Sequence, residues 1–298
     1  MLPALRLFAF IAAMAAMLHA GDVRTPVTLP RSEVRTFVSS ATGREHRVFI
    51  AWPDSPAPAT GFPVIYVLDA NAWFSTVVET NRVLAGRPEG TGVRPAIIVG
   101  LGYPIESPFD NARRTADYTA PGADAFLGFI ENEVKPAVAR DYSIDPAQQT
   151  LLGHSLGGHF VLRVLFTAPS SFSNYIALSP SIWWHDRALL ANESALVSRL
   201  AATAPAAPTR RVFLSAGEYE QFPDPARSAS ADRLAKLEKN RMVDNARELA
   251  GRLAALSGAP LHVTFTVFPG ENHGSVVPGA IARALPFVFT HSPPAVAD

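Results

Sequence analysis

The chain has 298 residues, with 26 basic side chains, 26 acidic side chains and no cysteine. The balanced charge gives no electrostatic reason to expect nucleic acid or an anionic membrane surface as a partner. The lack of cysteine excludes disulfides, thiolate catalysis and a lipid-modified N-terminal cysteine. A hydrophobic fraction of 48% with 17% charged residues is ordinary for a globular enzyme with one large core.

The first twenty residues have the pattern of a secretory signal peptide. One basic residue, Arg6, precedes an apolar run that ends at Met17, and the small residue Ala20 closes the segment. The run is shorter than the roughly 18 residues that a membrane-spanning helix needs. We therefore expect a periplasmic or secreted protein with no stable membrane insertion after cleavage. The expected parts are a signal peptide at 1–20, one α/β domain at 21–291 and a disordered tail at 292–298.

Apolar, often β-branched segments alternate with segments of helical periodicity along the rest of the chain. Several of the apolar segments do not alternate with polar residues, which is typical of strands buried on both faces of a parallel sheet. The alternation predicts an α/β fold with a mainly parallel central sheet and helices on both faces. In chain order the predicted strands are 47–52, 64–68, 96–99, 150–152, 175–178, 212–215 and 263–268, and the predicted helices are 72–84, 123–139, 156–167, 186–201, 232–256 and 278–287.

A glycine-rich turn follows the strand predicted at 150–152. It reads Gly-His-Ser-Leu-Gly-Gly over 153–158 and fits the pattern G-x-S-x-G of a nucleophile elbow. Such a pattern arises by chance in roughly one chain in ten of this length. Here, however, apolar residues recur at helical spacing directly after the serine. A strand, a sharp turn and a helix are the context that the pattern requires, so Ser155 is the candidate nucleophile.

A hydrolase triad of this type follows the chain order serine, acid, histidine, with each residue at the carboxyl end of a strand. His273 lies in a glycine-flanked turn directly after the last predicted strand, and its Nε2 would take the proton of Ser155 and return it to the leaving group. Glu218 and Glu220 both follow the strand at 212–215. We favour Glu220 as the acid, because a residue past the turn can reach back toward the histidine loop, and Glu218 stays open.

An oxyanion hole needs two backbone N–H groups aimed at the place where negative charge develops. The residue after the nucleophile, Leu156, supplies one. The loop after the strand at 64–68 should supply the other, and we expect it to be the N–H of Asn71. The sequence has no H-E-x-x-H, no cysteine and no histidines at ligand spacing, so we expect no metal site and no cofactor.

Six segments together resemble the putative-esterase branch of the α/β-hydrolases. Within that branch the chain is most similar to periplasmic siderophore esterases, which open the trilactone of enterobactin or salmochelin. The resemblance extends over 28–289. It implies an α/β-hydrolase fold and a serine esterase that cleaves a ferric catecholate siderophore through an acyl-enzyme, so that any iron arrives with the substrate. The segments are 65–69, 114–119, 153–158, 179–184, 217–220 and 273–276.

The same resemblance bears on the triad acid and on substrate binding. Members place the acid last in a Gly-x-x-acid turn, which is Glu220 here, although some siderophore esterases rely on a Ser-His dyad. Arg113 or Arg114 would meet the ferric tris-catecholate, because a guanidinium attracts its charge and stacks on its rings. The alternative is that Arg114 and Asp117 form an ion pair that pins the loop. The remaining substrate-binding candidates are Tyr118, Trp183 and Trp184, and of the two tryptophans we expect one in the core and one at the pocket.

Two other functions remain open on the sequence. One is a general carboxylesterase or acyltransferase that acts on small acyl esters in a closed apolar slot. The other is a protein of the hydrolase fold that binds a siderophore without cutting it. The presence of both Ser155 and His273 disfavours the second, because a binding protein needs neither.

Overall fold

The structure is a computed structural model that describes residues 25–201, 209–256 and 260–289. The predicted signal peptide and the predicted C-terminal tail lie outside these residues. The described strands form one eight-stranded sheet in the order β1-β2-β4-β3-β5-β6-β7-β8. The strands are β1 (Ser32–Val38), β2 (Glu45–Ala51), β3 (Phe62–Leu68), β4 (Ile97–Gly102), β5 (Ile144–His154), β6 (Asn174–Leu178), β7 (Arg210–Gly217) and β8 (Leu261–Phe268).

The sheet is mainly parallel, as the apolar runs predict. Strand β2 is antiparallel to both of its neighbours, β1 and β4, while the pairs from β4 through β3 to β8 are parallel. The carboxyl ends of β5, β6, β7 and β8 therefore lie along one edge of the sheet. The segments that follow these strands meet at that edge.

Helices cover both faces of the sheet. On one face α1 and α11 pack against Ile65 and Val67 of β3, and on the other face α6, α8 and α10 pack in the cluster that contains Tyr66 and Leu68. The helices are α1 (Ala70–Ala85), α2 (Pro88–Thr91), α3 (Asn111–Tyr118), α4 (Ala123–Phe129), α5 (Lys135–Asp141), α6 (Leu156–Thr167), α7 (Trp184–Arg187), α8 (Glu193–Ala201), α9 (Ala231–Asn240), α10 (Met242–Ala254) and α11 (Val276–Phe289).

Three predicted helices differ in the structure. The segment at 123–139 is α4 and α5 joined by a π-helical turn over Ile130–Val134. At the start of the segment at 186–201, residues 185–187 have positive φ, a 3₁₀ turn follows over Ala188–Asn192, and the regular helix α8 begins at Glu193. The segment at 232–256 is two helices, because Arg241 adopts a left-handed conformation with φ 45° and separates α9 from α10.

Three elements, β1, α2 and α3, lie outside the predicted helices and strands. Strand β1 is an outer strand with mostly exposed or half-buried residues, and α3 is a polar helix whose N-terminus is capped by the side chain of Asp110. Across the described ranges, every helix falls short of the length or the apolar character needed to span a lipid bilayer.

Candidate active site

Ser155 occupies a strained turn between the end of β5 and the start of α6. Its backbone has φ 60° and ψ −118°, a conformation that costs free energy for any residue except glycine. The Ser155 N–H donates to the carbonyl of Leu178 at 3.0 Å, and the Ser155 carbonyl accepts from the N–H of Ser181 at 3.0 Å. A Cβ on Gly153 would lie 2.5 Å from the backbone carbonyl of Gly157, so strand and helix approach too closely for a side chain there.

A chain of hydrogen bonds joins Ser155, His273 and Glu220. His273 Nε2 lies 3.0 Å from Ser155 Oγ, and His273 Nδ1 lies 2.6 Å from Glu220 Oε2. The three side chains follow β5, β8 and β7, and the parallel arrangement of those strands brings them together. The carboxylate of Glu220 is buried and the serine is partly exposed, so the chain runs from the protein interior to the open cleft.

The second oxygen of Glu220 is held as firmly as the first. Glu220 Oε1 accepts from Ser179 Oγ at 2.5 Å and from the N–H of Gly217 at 2.6 Å. Ser179 is fully buried and has a φ of 44°, so the loop after β6 is shaped around this contact. With both oxygens bound, the carboxylate is fixed in one orientation toward the imidazole.

The structure separates the roles of the two candidate acids. Glu220 contacts His273, whereas Glu218 Oε2 accepts from the N–H of Gly270 at 2.8 Å. Glu218 is therefore an anchor for the loop that carries His273.

The two predicted oxyanion donors belong to the first turns of adjoining helices. Leu156 begins α6, and Asn71 is the second residue of α1. The first N–H groups of a helix have no carbonyl partner within it. A Cβ on Gly157 would lie 3.4 Å from the Leu68 side chain, so the start of α6 packs on the segment that leads into α1. The Asn71 side chain binds the backbone of Tyr103 and Ile105, which ties α1 to the loop after β4.

His154 is a buried neighbour of the catalytic candidates that was not singled out from the sequence. Its ring centroid lies 4.5 Å from that of His273, and Trp73 packs against it edge-on at 5.6 Å. Burial lowers the pKa of His154 well below its usual value. His154 is thus an uncharged packing partner behind the imidazole of His273.

Arg114 and Tyr118, expected to bind substrate, have no side-chain surface in the cleft. Arg114 Nε and Nη2 donate to the two oxygens of Asp69 at 2.9 and 2.8 Å. The Tyr118 side chain is fully buried, and its hydroxyl accepts from the N–H of Asp69 at 3.0 Å. Both residues hold Asp69, which has a φ of 52° and begins the turn into α1. The alternative pair Arg114–Asp117 is not formed either, because Asp117 accepts from Arg44 at 3.1 Å.

The other substrate-binding candidates divide in a similar way. Arg113 is half-buried, donates to the carbonyl of Glu45 and stacks over the ring of Tyr103 at 4.9 Å. Trp184 packs against the larger hydrophobic cluster, whereas Trp183 lines the cavity beside Ser155. Of these residues, Trp183 is the one that the structure places next to the nucleophile.

One wall of the cleft beside Ser155 is basic, and its basic residues are not among the predicted site residues. A cavity of about 210 Å³ is lined by Ser155, Trp183 and His273 together with Arg233 and Lys236 of α9. It shares three lining residues with a larger cavity of about 570 Å³: Arg233, Leu237 and His273. A weak signal was present, because the whole chain has only three lysines and two of them, Lys236 and Lys239, lie in this helix.

The described part of the chain was searched for side chains that could bind a resident metal ion. No group of three or more histidine, aspartate or glutamate side chains there is placed to hold one.

Comparison with known proteins gives matches over nearly the whole chain. A family model described as "Putative esterase" matches residues 39–255. The ferri-bacillibactin esterase BesA of Bacillus subtilis is 41% identical over 288 residues, which cover 90% of this chain and 93% of BesA. The siderophore triacetylfusarinine C esterase of Aspergillus fumigatus is 36% identical, with 92% of this chain and 98% of that enzyme covered. The crystal structure of the BES protein from Bacillus cereus matches with a TM-score of 0.79 at 38% identity, covering 89% of this chain and 97% of that one.

Proposed function

The chain belongs to the esterase family whose model it matches and has the α/β-hydrolase fold, and from this premise we propose that it hydrolyses the ester bonds of a siderophore. The substrate that we propose is the trilactone of a ferric catecholate siderophore such as enterobactin. The observation that carries the proposal is the hydrogen-bonded chain Ser155–His273–Glu220 at the floor of a basic cleft. The names of the similar enzymes from Bacillus subtilis and Aspergillus fumigatus support a siderophore as the substrate.

In the acylation step, Ser155 Oγ attacks the ester carbonyl carbon while His273 Nε2 takes the hydroxyl proton. The tetrahedral intermediate then collapses, the bond to the leaving alkoxide breaks, and His273 gives its proton to that oxygen. A water molecule repeats the sequence on the acyl-enzyme. It loses a proton to His273 and attacks the acyl carbon, and Ser155 leaves with the proton restored.

Glu220 orients the imidazole throughout both steps. Its Oε2 accepts from Nδ1, which leaves Nε2 facing the serine in the tautomer that can accept a proton. The carboxylate also stabilises the imidazolium that forms transiently. The contacts of Glu220 with Ser179 and Gly217 support this role, because they hold the carboxylate in place.

The negative charge on the carbonyl oxygen is stabilised by the N–H groups of Leu156 and Asn71. Their position in the first turns of α6 and α1 supports this assignment, since helix N-termini favour negative charge. Removing one such donor typically costs about 3 kcal/mol of transition-state stabilisation.

We also propose that the protein is exported and works in the periplasm or outside the cell, on the strength of the signal-peptide pattern at 1–20. The N-terminal sequence of the protein recovered from the cell envelope tests this, and an unprocessed Met1 in a soluble cell extract would contradict it.

Mass spectrometry of the products tests the substrate. The mature protein and its Ser155→Ala variant are incubated with enterobactin, with and without iron, and with 4-nitrophenyl butyrate. We expect the wild type to convert the cyclic trilactone to linear forms and the variant to leave it intact while still binding it. Hydrolysis of the nitrophenyl ester alone would favour the general carboxylesterase. Binding without turnover by the wild type would favour the non-catalytic siderophore carrier.

A further inference from the structure

Helix α9 lies beside the catalytic residues with little support from the core. Its N-terminus is capped by Ser230, whose Oγ accepts from the N–H of Arg233 at 3.2 Å, and it ends at the left-handed Arg241. Of its ten residues, Leu237 is the one that is buried. A helix that buries one residue gains little stability from packing, so its sequence is free to serve the cleft.

The cations of α9 are not neutralised by the described part of the protein. Among the described residues no carboxylate forms an ion pair with Arg233, Lys236 or Lys239, and Arg233 makes only a long contact of 3.5 Å with the carbonyl of Tyr219. Lys239 lines a neighbouring cavity together with Trp183.

The acidic groups near the cleft are engaged elsewhere or lie at its margin. Asp224 pairs with Arg227 at 3.2 Å, and Glu220 is buried beneath His273. Asp186 lines only the neighbouring cavity that contains Lys239. The cavity next to the nucleophile therefore has two unpaired positive charges, Arg233 and Lys236, on one wall.

Unpaired cations beside a nucleophile favour an anionic substrate. A tris-catecholate complex of iron(III) is anionic, because the deprotonated catechol oxygens outweigh the charge of the metal, whereas the iron-free siderophore has neutral catechols near pH 7. Guanidinium and ammonium groups attract that charge, and the indole of Trp183 offers a flat surface for a catechol ring. The two forms of the substrate have the same ester bonds and differ mainly in charge and shape.

We propose that Arg233 and Lys236 are specificity-determining residues, which make the enzyme prefer the iron-loaded siderophore to the iron-free one. The inference rests on the proposed function, because it assigns a preference between two forms of that substrate. In this proposal the iron complex is recognised by helix α9, on the side of Trp183, and not by the loop that holds Arg113 and Arg114.

The test compares a double variant, Arg233→Gln with Lys236→Gln, against a control double variant, Arg140→Gln with Arg283→Gln. The control removes the same charge from two exposed positions that do not line the cleft. For each protein kcat/KM is measured on iron-loaded enterobactin, iron-free enterobactin and 4-nitrophenyl butyrate. Circular dichroism reports whether each variant is folded.

We expect the α9 variant to lower the ratio of kcat/KM for the iron-loaded over the iron-free form by about tenfold, because two positive charges that attract the anionic complex are lost. The control keeps the wild-type ratio. Added NaCl should lower wild-type kcat/KM for the iron-loaded form more steeply than that of the variant, because salt screens charge attraction.

The measurements distinguish a failure of the proposed role of α9 from a failure of the proposed substrate. A variant whose kcat/KM falls equally on both siderophore forms, or on neither, overturns the role of α9 while siderophore cleavage stands. A wild type that hydrolyses only the nitrophenyl ester overturns the proposed substrate and the role of α9 with it.

Discussion

Glu218 and Glu220 bind two different points of the loop that carries His273, although a single residue separates them in the chain. Glu218 Oε2 accepts from the N–H of Gly270 at 2.8 Å, and Glu220 Oε2 contacts His273 Nδ1 at 2.6 Å. Both lie in one short 3₁₀ turn after β7. This turn therefore sets both the path of the loop and the orientation of the imidazole.

The first prediction follows from that division of roles. Glu220→Gln should lower kcat by about 10³ to 10⁴-fold, because the amide no longer holds the productive tautomer or offsets the imidazolium charge. Glu218→Ala should lower kcat by about tenfold or less, because it loosens the loop without removing the partner of His273. Steady-state hydrolysis of 4-nitrophenyl butyrate measures both. A folded Glu218→Ala protein as inactive as Glu220→Gln would show that the acid has been misassigned.

The second prediction concerns the close approach at the elbow. Gly153→Ala should lower the free energy of unfolding by about 2 kcal/mol or more, since its Cβ would overlap the carbonyl of Gly157. Gly251→Ala is the matched control, because Gly251 is exposed within α10 and a Cβ there meets nothing within 4 Å. The control should stabilise the protein by about 0.5 to 1 kcal/mol. Urea denaturation compares them, and equal stability of the two variants would mean that the elbow relaxes freely.

The third prediction tests the structural role of Arg114. Burial raises the pKa of Asp69, and the guanidinium of Arg114 opposes that rise. Arg114→Met leaves the carboxylate buried without its partner and should cost about 3 to 5 kcal/mol of unfolding free energy. The double variant Arg114→Met with Asp69→Asn should recover much of this loss. A stable Arg114→Met protein with a raised KM for siderophore alone would instead indicate a substrate contact.

The fourth prediction concerns acid stability. His46 is buried and stacks on Phe129 at 4.5 Å, and burial, with help from Arg113 and Arg44, lowers its pKa from 6.5 to about 4. The unfolded chain takes up a proton near 6.5 and the folded protein only near 4, so stability is lost as the pH falls through that interval.

His46→Gln removes this titration and should flatten the fall of Tm between pH 7 and pH 4.5, measured by circular dichroism. Some pH dependence should remain, because the pKa of His154 is also lowered by burial and acts in the same direction. An unchanged slope in the variant would exclude His46 as a source of acid sensitivity.

The parts of the fold that can be predicted from the sequence are those that depend on residues close together in the chain. The parallel sheet follows from continuous apolar runs, and the elbow follows from glycines at positions where a side chain does not fit. The fold class, the family and an enzyme that acts on ester bonds are confirmed by the comparisons. The catalytic roles of Ser155, His273 and Glu220 stay predictions, which the observed distances support.

The parts that could not be predicted depend on contacts between residues that are far apart in the chain. Helical periodicity continues without glycine or proline through Arg241, yet α10 starts anew there, because the N–H of Asp244 is capped by the side chain of Gln221 from the turn after β7. Leu234 is 43% exposed as a result, whereas Leu237, one turn later in α9, is buried. Arg114 likewise pairs with Asp69, which lies 45 residues away in the chain, and not with the nearby Asp117.

The strand order places His273, the proposed catalytic base, at the margin of the sheet. In the described part of the chain β8 has β7 as its single neighbour, whereas β5, which leads to Ser155, has a strand on each side. Outer strands open locally at a lower free energy than the core. Fraying of β8 would withdraw His273 while the rest of the sheet stays intact.

We therefore expect reversible loss of esterase activity on heating at a temperature below the unfolding midpoint seen by circular dichroism; coincident midpoints would contradict this. The upper working temperature of the enzyme would then be set by one peripheral strand, and stiffening that strand would extend it without any change to the core.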